Sequence, residues 1–162
     1  MIKEYEDFVN ILKNSGVELE YWNLPDIVYG PYVRMRAIWP PASAFVINGG
    51  AIIPRYRYAI YKLGHEVLIS KKLGEIGCPI LLTIHGSGIA ELGGNGFWLD
   101  PKTLLLGVGP TLNLEAVRQM EPLIKDVGAK EIHLCYFTNA EHLDMVFALV
   151  DAWLVVLDRR KI

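Results

Sequence analysis

Residues 141–158 read Glu-His-Leu-Asp-Met-Val-Phe-Ala-Leu-Val-Asp-Ala-Trp-Leu-Val-Val-Leu-Asp, and no other stretch constrains the chain as tightly. A histidine and a carboxylate stand two residues apart at the head of an apolar run rich in β-forming residues. On a strand, side chains two positions apart point to one face, so the pattern predicts His142 and Asp144 side by side. An imidazole that titrates near neutrality beside a carboxylate is a pair able to move protons. The plain alternative is a surface strand that happens to begin with these two residues.

At 162 residues the chain is long enough for one domain with a sizeable core, and a single domain over 1–162 is expected. Hydrophobic residues make up 52% and charged residues 21%, a globular balance without disordered or collagen-like bias. The formal net charge of −2 supplies no reason to expect a nucleic-acid partner. Basic residues are scattered, apart from Arg159, Arg160 and Lys161, which read as a solvated end. The first residues carry Glu4 and Glu6 where a secretion signal has an apolar run, and no charge-free stretch of about 18 apolar residues occurs, so a cytoplasmic protein away from membranes is expected. Cys78 and Cys135 lie far apart and lack Cys-x-x-Cys or Cys/His metal spacing. They read as buried thiols, with no metal site and no cofactor implied.

Periodicity predicts a helix over residues 3–13 that stops at Asn14-Ser15-Gly16. Val17, Leu19 and Tyr21 alternate with Glu18 and Glu20, the pattern of a half-buried strand over 17–22. A second extended stretch is predicted over 32–39, ended by Pro40-Pro41. Residues 44–48 and 51–54 read as strands joined at Gly49-Gly50, and 55–76 as a helix carrying Tyr56, Tyr58 and Tyr61, with His65 on its surface. A strand over 80–84 leads into a loop, residues 85–96, that holds five glycines and His85. A second hairpin follows at 97–108, then a helix over 113–125 and a strand over 130–136. Strand, hairpin and helix recur about twice, which predicts an α/β chain of two or more weakly similar modules.

In this order the chain resembles the guanidine-modifying superfamily with the pentein fold, which includes arginine deiminases, dimethylarginine dimethylaminohydrolases and amidinotransferases. The most specific match is His142-Leu143-Asp144-Met145-Val146-Phe147, similar to the family's His-Leu-Asp-Thr-Val-Phe. Tyr32-Val33-Arg34-Met35 resembles an aromatic-x-Arg-Asp motif, Leu92-Gly93-Gly94-Asn95 resembles Glu-Gly-Gly-Asp, and residues 105–109 resemble the strand after it. The resemblance implies a pentein-like α/β propeller, partial at about three of five modules. It also implies an arginine-like guanidino ligand, with His142 as general acid/base and Asp144 gripping the guanidinium. Arg34, Glu91 and Asn95 are the implied substrate-binding residues. A cationic planar guanidinium needs acceptor oxygens in a forked array, and a covalent intermediate would divide C–N cleavage into two easier steps.

The departures are as specific as the matches. Met35 and Leu92 stand where the family has acidic residues, and Asn95 where it has Asp. Glu91 replaces the missing glutamate only if the loop is shifted by one residue, and on an extended segment such a slip turns a side chain to the other face. The family's nucleophilic cysteine lies far downstream of the His-Leu-Asp motif, while the residues after Asp144 contain none. Cys135, flanked by Leu134 and Tyr136, reads as a structural thiol. Two readings stay open: a C–N hydrolase or amidinotransferase that is incomplete or degenerate, and a non-catalytic binding or assembly protein that keeps the fold. Uncovered module faces and strand edges further predict a homo-oligomer.

Overall fold

The computed structural model describes residues 2–21, 44–58 and 65–162. The segment 32–39, including Arg34 and Met35, lies outside the described residues, as do Trp22 and Tyr61. Helix α1 (Ile2–Asn14) is followed by hairpin β1 (Phe45–Ile47) and β2 (Gly50–Ile53), helix α2 (His65–Glu75) and β3 (Ile80–Thr83). Next come hairpin β4 (Gly96–Asp100) and β5 (Thr103–Val108), helix α3 (Leu114–Asp126) and β6 (Glu131–Tyr136). Hairpin β7 (Phe147–Asp151) and β8 (Leu154–Leu157) is the last pair.

These elements form a repeated unit. In β1-β2-β3 the hairpin is antiparallel and β3 returns through α2 to lie parallel to β2. In β4-β5-β6 the hairpin is again antiparallel and β6 returns through α3 parallel to β5. Each unit is therefore strand, strand, helix, strand. Among the described strands, β7 and β8 pair antiparallel with each other and with no third strand.

Helix α3 begins because the Asn113 side chain accepts from the Ala116 backbone N–H at 3.0 Å, satisfying a donor the first turn leaves open. Ala116, Val117, Met120 and Ile124 form its buried stripe against Leu104 and Leu106 of β5. The other face of β5 meets a second cluster built on Phe137, Leu143 and Val146, with Leu105 packed against it. Strand β5 thus divides the core from the layer that seats the His142 turn. Gly107 permits that seat, since a Cβ there would lie 2.6 Å from the Leu143 Cβ.

Several expectations are corrected. Residues 17–21 form no strand, because none of the described strands pairs with them. Residues 55–58 are not helical; Arg55 makes a single antiparallel bridge to Ala90, residues 59–64 lie outside the described residues, and helix α2 is described over His65–Glu75. His65 is buried rather than on a helix surface, its Nδ1 3.2 Å from the Tyr56 hydroxyl. A histidine within the helix expected over 55–76 is read as exposed, whereas the Tyr56 hydroxyl gives its ring a buried partner. Among the described residues no helix is long and apolar enough to cross a membrane.

Candidate active site

His142 and Asp144 do not lie on a strand. His142 is the extended residue before a 3-10 turn, Leu143–Met145, and β7 starts only at Phe147. Leu143 is fully buried while His142 and Asp144 on either side reach outward, so the turn preserves the adjacency that a strand would have provided.

A second 3-10 turn, Leu92–Gly94, stands in the same place before hairpin β4-β5, and Glu91 is the residue before it. The two turns touch. Gly94 makes the approach possible, since a Cβ there would sit 2.7 Å from the His142 Cβ and 3.1 Å from Asp144 Oδ2. The consequence is an ion-pair geometry between successive modules: His142 Nε2 lies 3.2 Å from Glu91 Oε2. The Glu91 side chain is 2% exposed and that of His142 19%, so the carboxylate lies beneath and the imidazole reaches solvent. The one-residue shift that the sequence left open is present in the geometry: Glu91 meets His142, and Leu92 is sunk in the core at 1% exposure.

Asn95 takes a different place from the one expected of it. It is 0% exposed and its amide is spent inward. Nδ2 donates to the Glu91 carbonyl and to Thr111 Oγ1, each at 2.9 Å, while Oδ1 accepts from the Leu143 N–H at 2.9 Å. Asn95 therefore ties the Glu91 turn to the His142 turn and offers no surface to a ligand. Thr111, which the sequence reading passed over, completes the tie by donating to the Glu141 carbonyl at 2.5 Å. Nothing local in Gly109-Pro110-Thr111 signals this role, because its partners are 16 and 30 residues away along the chain.

Burial among its neighbours pushes the Asp144 carboxyl above its ordinary value of 3.8, and the charge of nearby His142 offsets part of that rise. Asp144 borders an open cleft of about 450 Å³ shared with Met145, Phe147, Val156, Leu157 and Arg160. Cys135 is packed against the Leu143 cluster and burial pushes its thiol up, away from thiolate chemistry. Donor atoms of Glu91, Glu141 and His142 all lie within 4.8 Å of one another, near enough for a cation, but the Glu91–His142 contact already accounts for two of the three. His85 is exposed in the glycine-rich loop, where its backbone N–H and carbonyl pair with the Gln119 side chain.

A buried carboxylate beneath a partly exposed imidazole can hold that ring in one orientation. Asp144, two residues from His142, lines the neighbouring cleft, to which Glu91 and His142 do not contribute.

No protein-family model and no curated protein matches the chain. Solved structures do. A dimethylarginine dimethylaminohydrolase adduct with 4-chloro-2-hydroxymethylpyridine aligns at TM-score 0.74 and 17% identity, over 96% of this chain and 58% of that one. The enzyme of that name from Pseudomonas aeruginosa, a C249S variant complexed with citrulline, aligns at 0.72 and 18%, over 91% and 54%. The N-terminal domain of ArgZ, an arginine dihydrolase from the ornithine-ammonia cycle in cyanobacteria, aligns at 0.71 and 13%, over 98% and 56%. The chain thus spans little more than half the length of these structures. Repeated hairpin-helix-strand units and likeness over nearly the whole chain lead to one conclusion: this chain has the α/β fold of the pentein enzymes.

Proposed function

We propose that the chain is a partial pentein propeller of about three modules that binds an arginine-like guanidino compound at Glu91, His142 and Asp144. The reading rests above all on the buried Glu91 carboxylate 3.2 Å from the His142 imidazole, with Asp144 two residues away at the edge of an open cleft. Asp144 accepts guanidinium N–H groups, His142 carries the proton, and Glu91 orients His142 from below. Arg34, outside the described residues, is assigned to the ligand by its motif. The reaction class is C–N hydrolysis or amidino transfer. In its favour, structures of this fold are described in complex with citrulline and with L-arginine.

The nucleophile is the missing part. Both cysteines of the chain are accounted for, and neither belongs to the Glu91–His142 pair: Cys135 packs with the Leu143 cluster and Cys78 with Leu73 behind β2. This observation favours a second reading, a guanidine-binding protein without turnover. L-arginine titrated by calorimetry and assayed for citrulline and ornithine decides between them. Turnover abolished by His142→Ala supports the enzyme. Binding without turnover, weakened about tenfold by Asp144→Asn through loss of a charge-assisted contact, supports the binding protein. Absence of binding by any guanidino compound overturns both.

The pH dependence has a defined sign. Asp144 must be ionised to hold a guanidinium, and its pKa is raised above 3.8, so affinity falls on acidification sooner than an ordinary carboxylate would allow. Asp144→Asn removes this acid limb. The raised value also means that the folded chain disfavours the charged form, so its cost to stability is present at neutral pH and relieved as pH falls through the raised pKa. Asp144→Asn is accordingly expected to leave the melting temperature unchanged or higher, while ligand affinity drops.

A further inference from the structure

Helix α1 and residues 15–21 repeat the second half of the two complete modules. In those modules the helix ends two residues before a glycine in the left-handed region, Gly77 (φ 75°) after α2 and Gly128 (φ 115°) after α3. Helix α1 ends in the same way at Gly16 (φ 79°). The hydrogen bonds agree as well. Cys78 N–H donates to the Leu73 carbonyl and Ala129 N–H to the Ile124 carbonyl, and Val17 N–H donates to the Leu12 carbonyl at 3.0 Å. In both complete modules the parallel strand begins three residues after the glycine, at Ile80 and Glu131. By that count a strand would begin at Leu19, inside the alternating stretch that pairs with none of the described strands.

Hairpin β7-β8 is the complementary half. It repeats β4-β5 in detail: each follows a 3-10 turn, each has the same register irregularity before its turn, and each turn is held by an aspartate side chain accepting a backbone N–H. Strand β5 carries β6 on its far side, whereas β8 pairs only with β7 among the described strands. Both faces of the hairpin are uncovered, with Leu149 at 38% and Val155 at 42% exposure on one and Val156 at 61% on the other. The apolar stripe of α1 is equally bare, with Phe8 at 58% and Ile11 at 62%. Charge is matched too: residues 3–20 hold five acids against two lysines, and the hairpin runs into Arg159, Arg160 and Lys161.

We propose that α1 and residues 15–21 of a second copy of this chain complete the third module, α1 packing on β7-β8 and Leu19 starting a strand parallel to β8. The interface is heterologous, joining an N-terminal half to a C-terminal half. It borders the Asp144 cleft, whose wall includes Val156 and Leu157, but it does not depend on the guanidine reading.

The test is light scattering on the size-exclusion peak over about 1–50 μM. The wild-type chain is expected to exceed one chain in mass and to grow with concentration. Phe8→Glu with Ile11→Glu, and separately Val156→Lys, are each expected to elute as one chain. Mixed, the two variants are expected to form a one-to-one pair, since one keeps an intact hairpin and the other an intact helix. Cysteine placed at Leu19 in one copy and Leu154 in another is expected to form an interchain disulfide, a readout that does not depend on destabilising charges. A wild-type chain that stays single, a helix variant that still self-associates through its hairpin, or a mixture that stays unpaired overturns the proposal. So does protein from its native source whose mass exceeds these 162 residues and whose additional segment protects the hairpin from proteolysis.

Discussion

Asn95→Ala is expected to lower the unfolding free energy by about 3–4 kcal/mol, since each buried polar group left without its partner costs about 1–3 kcal/mol. The substitution removes a fully buried amide that donates to the Glu91 carbonyl and Thr111 and accepts from the Leu143 N–H. No water reaches the vacated groups without a new cavity, so the loss is not made good by solvent. Asn95→Asp is the informative companion: its carboxylate still accepts from Leu143 N–H but faces the Glu91 carbonyl without a proton to offer. Chemical denaturation should place Asn95→Asp below the wild type as well. Stability equal to wild type in either variant would show that the two turns are held by other means.

Gly94→Ala is expected to leave the chain folded and to weaken guanidine binding by about tenfold or more, since displacing a positioned group by about 1 Å commonly costs up to 10²-fold. The added methyl would stand 2.7 Å from the His142 Cβ, 2.8 Å from its Cγ and 3.1 Å from Asp144 Oδ2, closer than van der Waals contact permits. The His142 turn must move away, drawing the imidazole from Glu91. Overpacking of this kind costs typically about 1–3 kcal/mol, less than the Asn95 substitution. Calorimetric titration beside a thermal melt separates the two effects, and unchanged affinity would remove His142 and Asp144 from the ligand.

Most of the fold was legible because its elements carry local signals. Asn113 opens α3 with a side-chain cap, and glycines end all three described α-helices. The hairpins at 45–53 and 96–108 were readable from alternation and turn residues. What failed was nonlocal. Val17, Leu19 and Tyr21 have the rhythm of a strand, but a strand exists only where a partner edge is available. The tyrosines after Arg55 suggested a helix already over 55–58, while Arg55 is instead bridged to Ala90, 35 residues away. His142 and Asp144 were placed side by side by their spacing, though the strand expected to hold them proved to be a 3-10 turn. Glu91 against Leu92 was undecidable from the sequence. Only packing shows that the leucine fills the core and leaves the glutamate above it.

Glu91 and His142 precede equivalent turns in consecutive modules, so their meeting belongs to neither module alone. The distance between carboxylate and imidazole gauges the angle between the two units. A twist of one unit against the next by a few degrees would open or close that gap before either unit changed internally. A shift of one unit against the other therefore acts directly on the contact between Glu91 and the His142 ring. The resonance of the His142 ring offers a way to observe that shift directly, as a strain gauge built from two repeats of one motif.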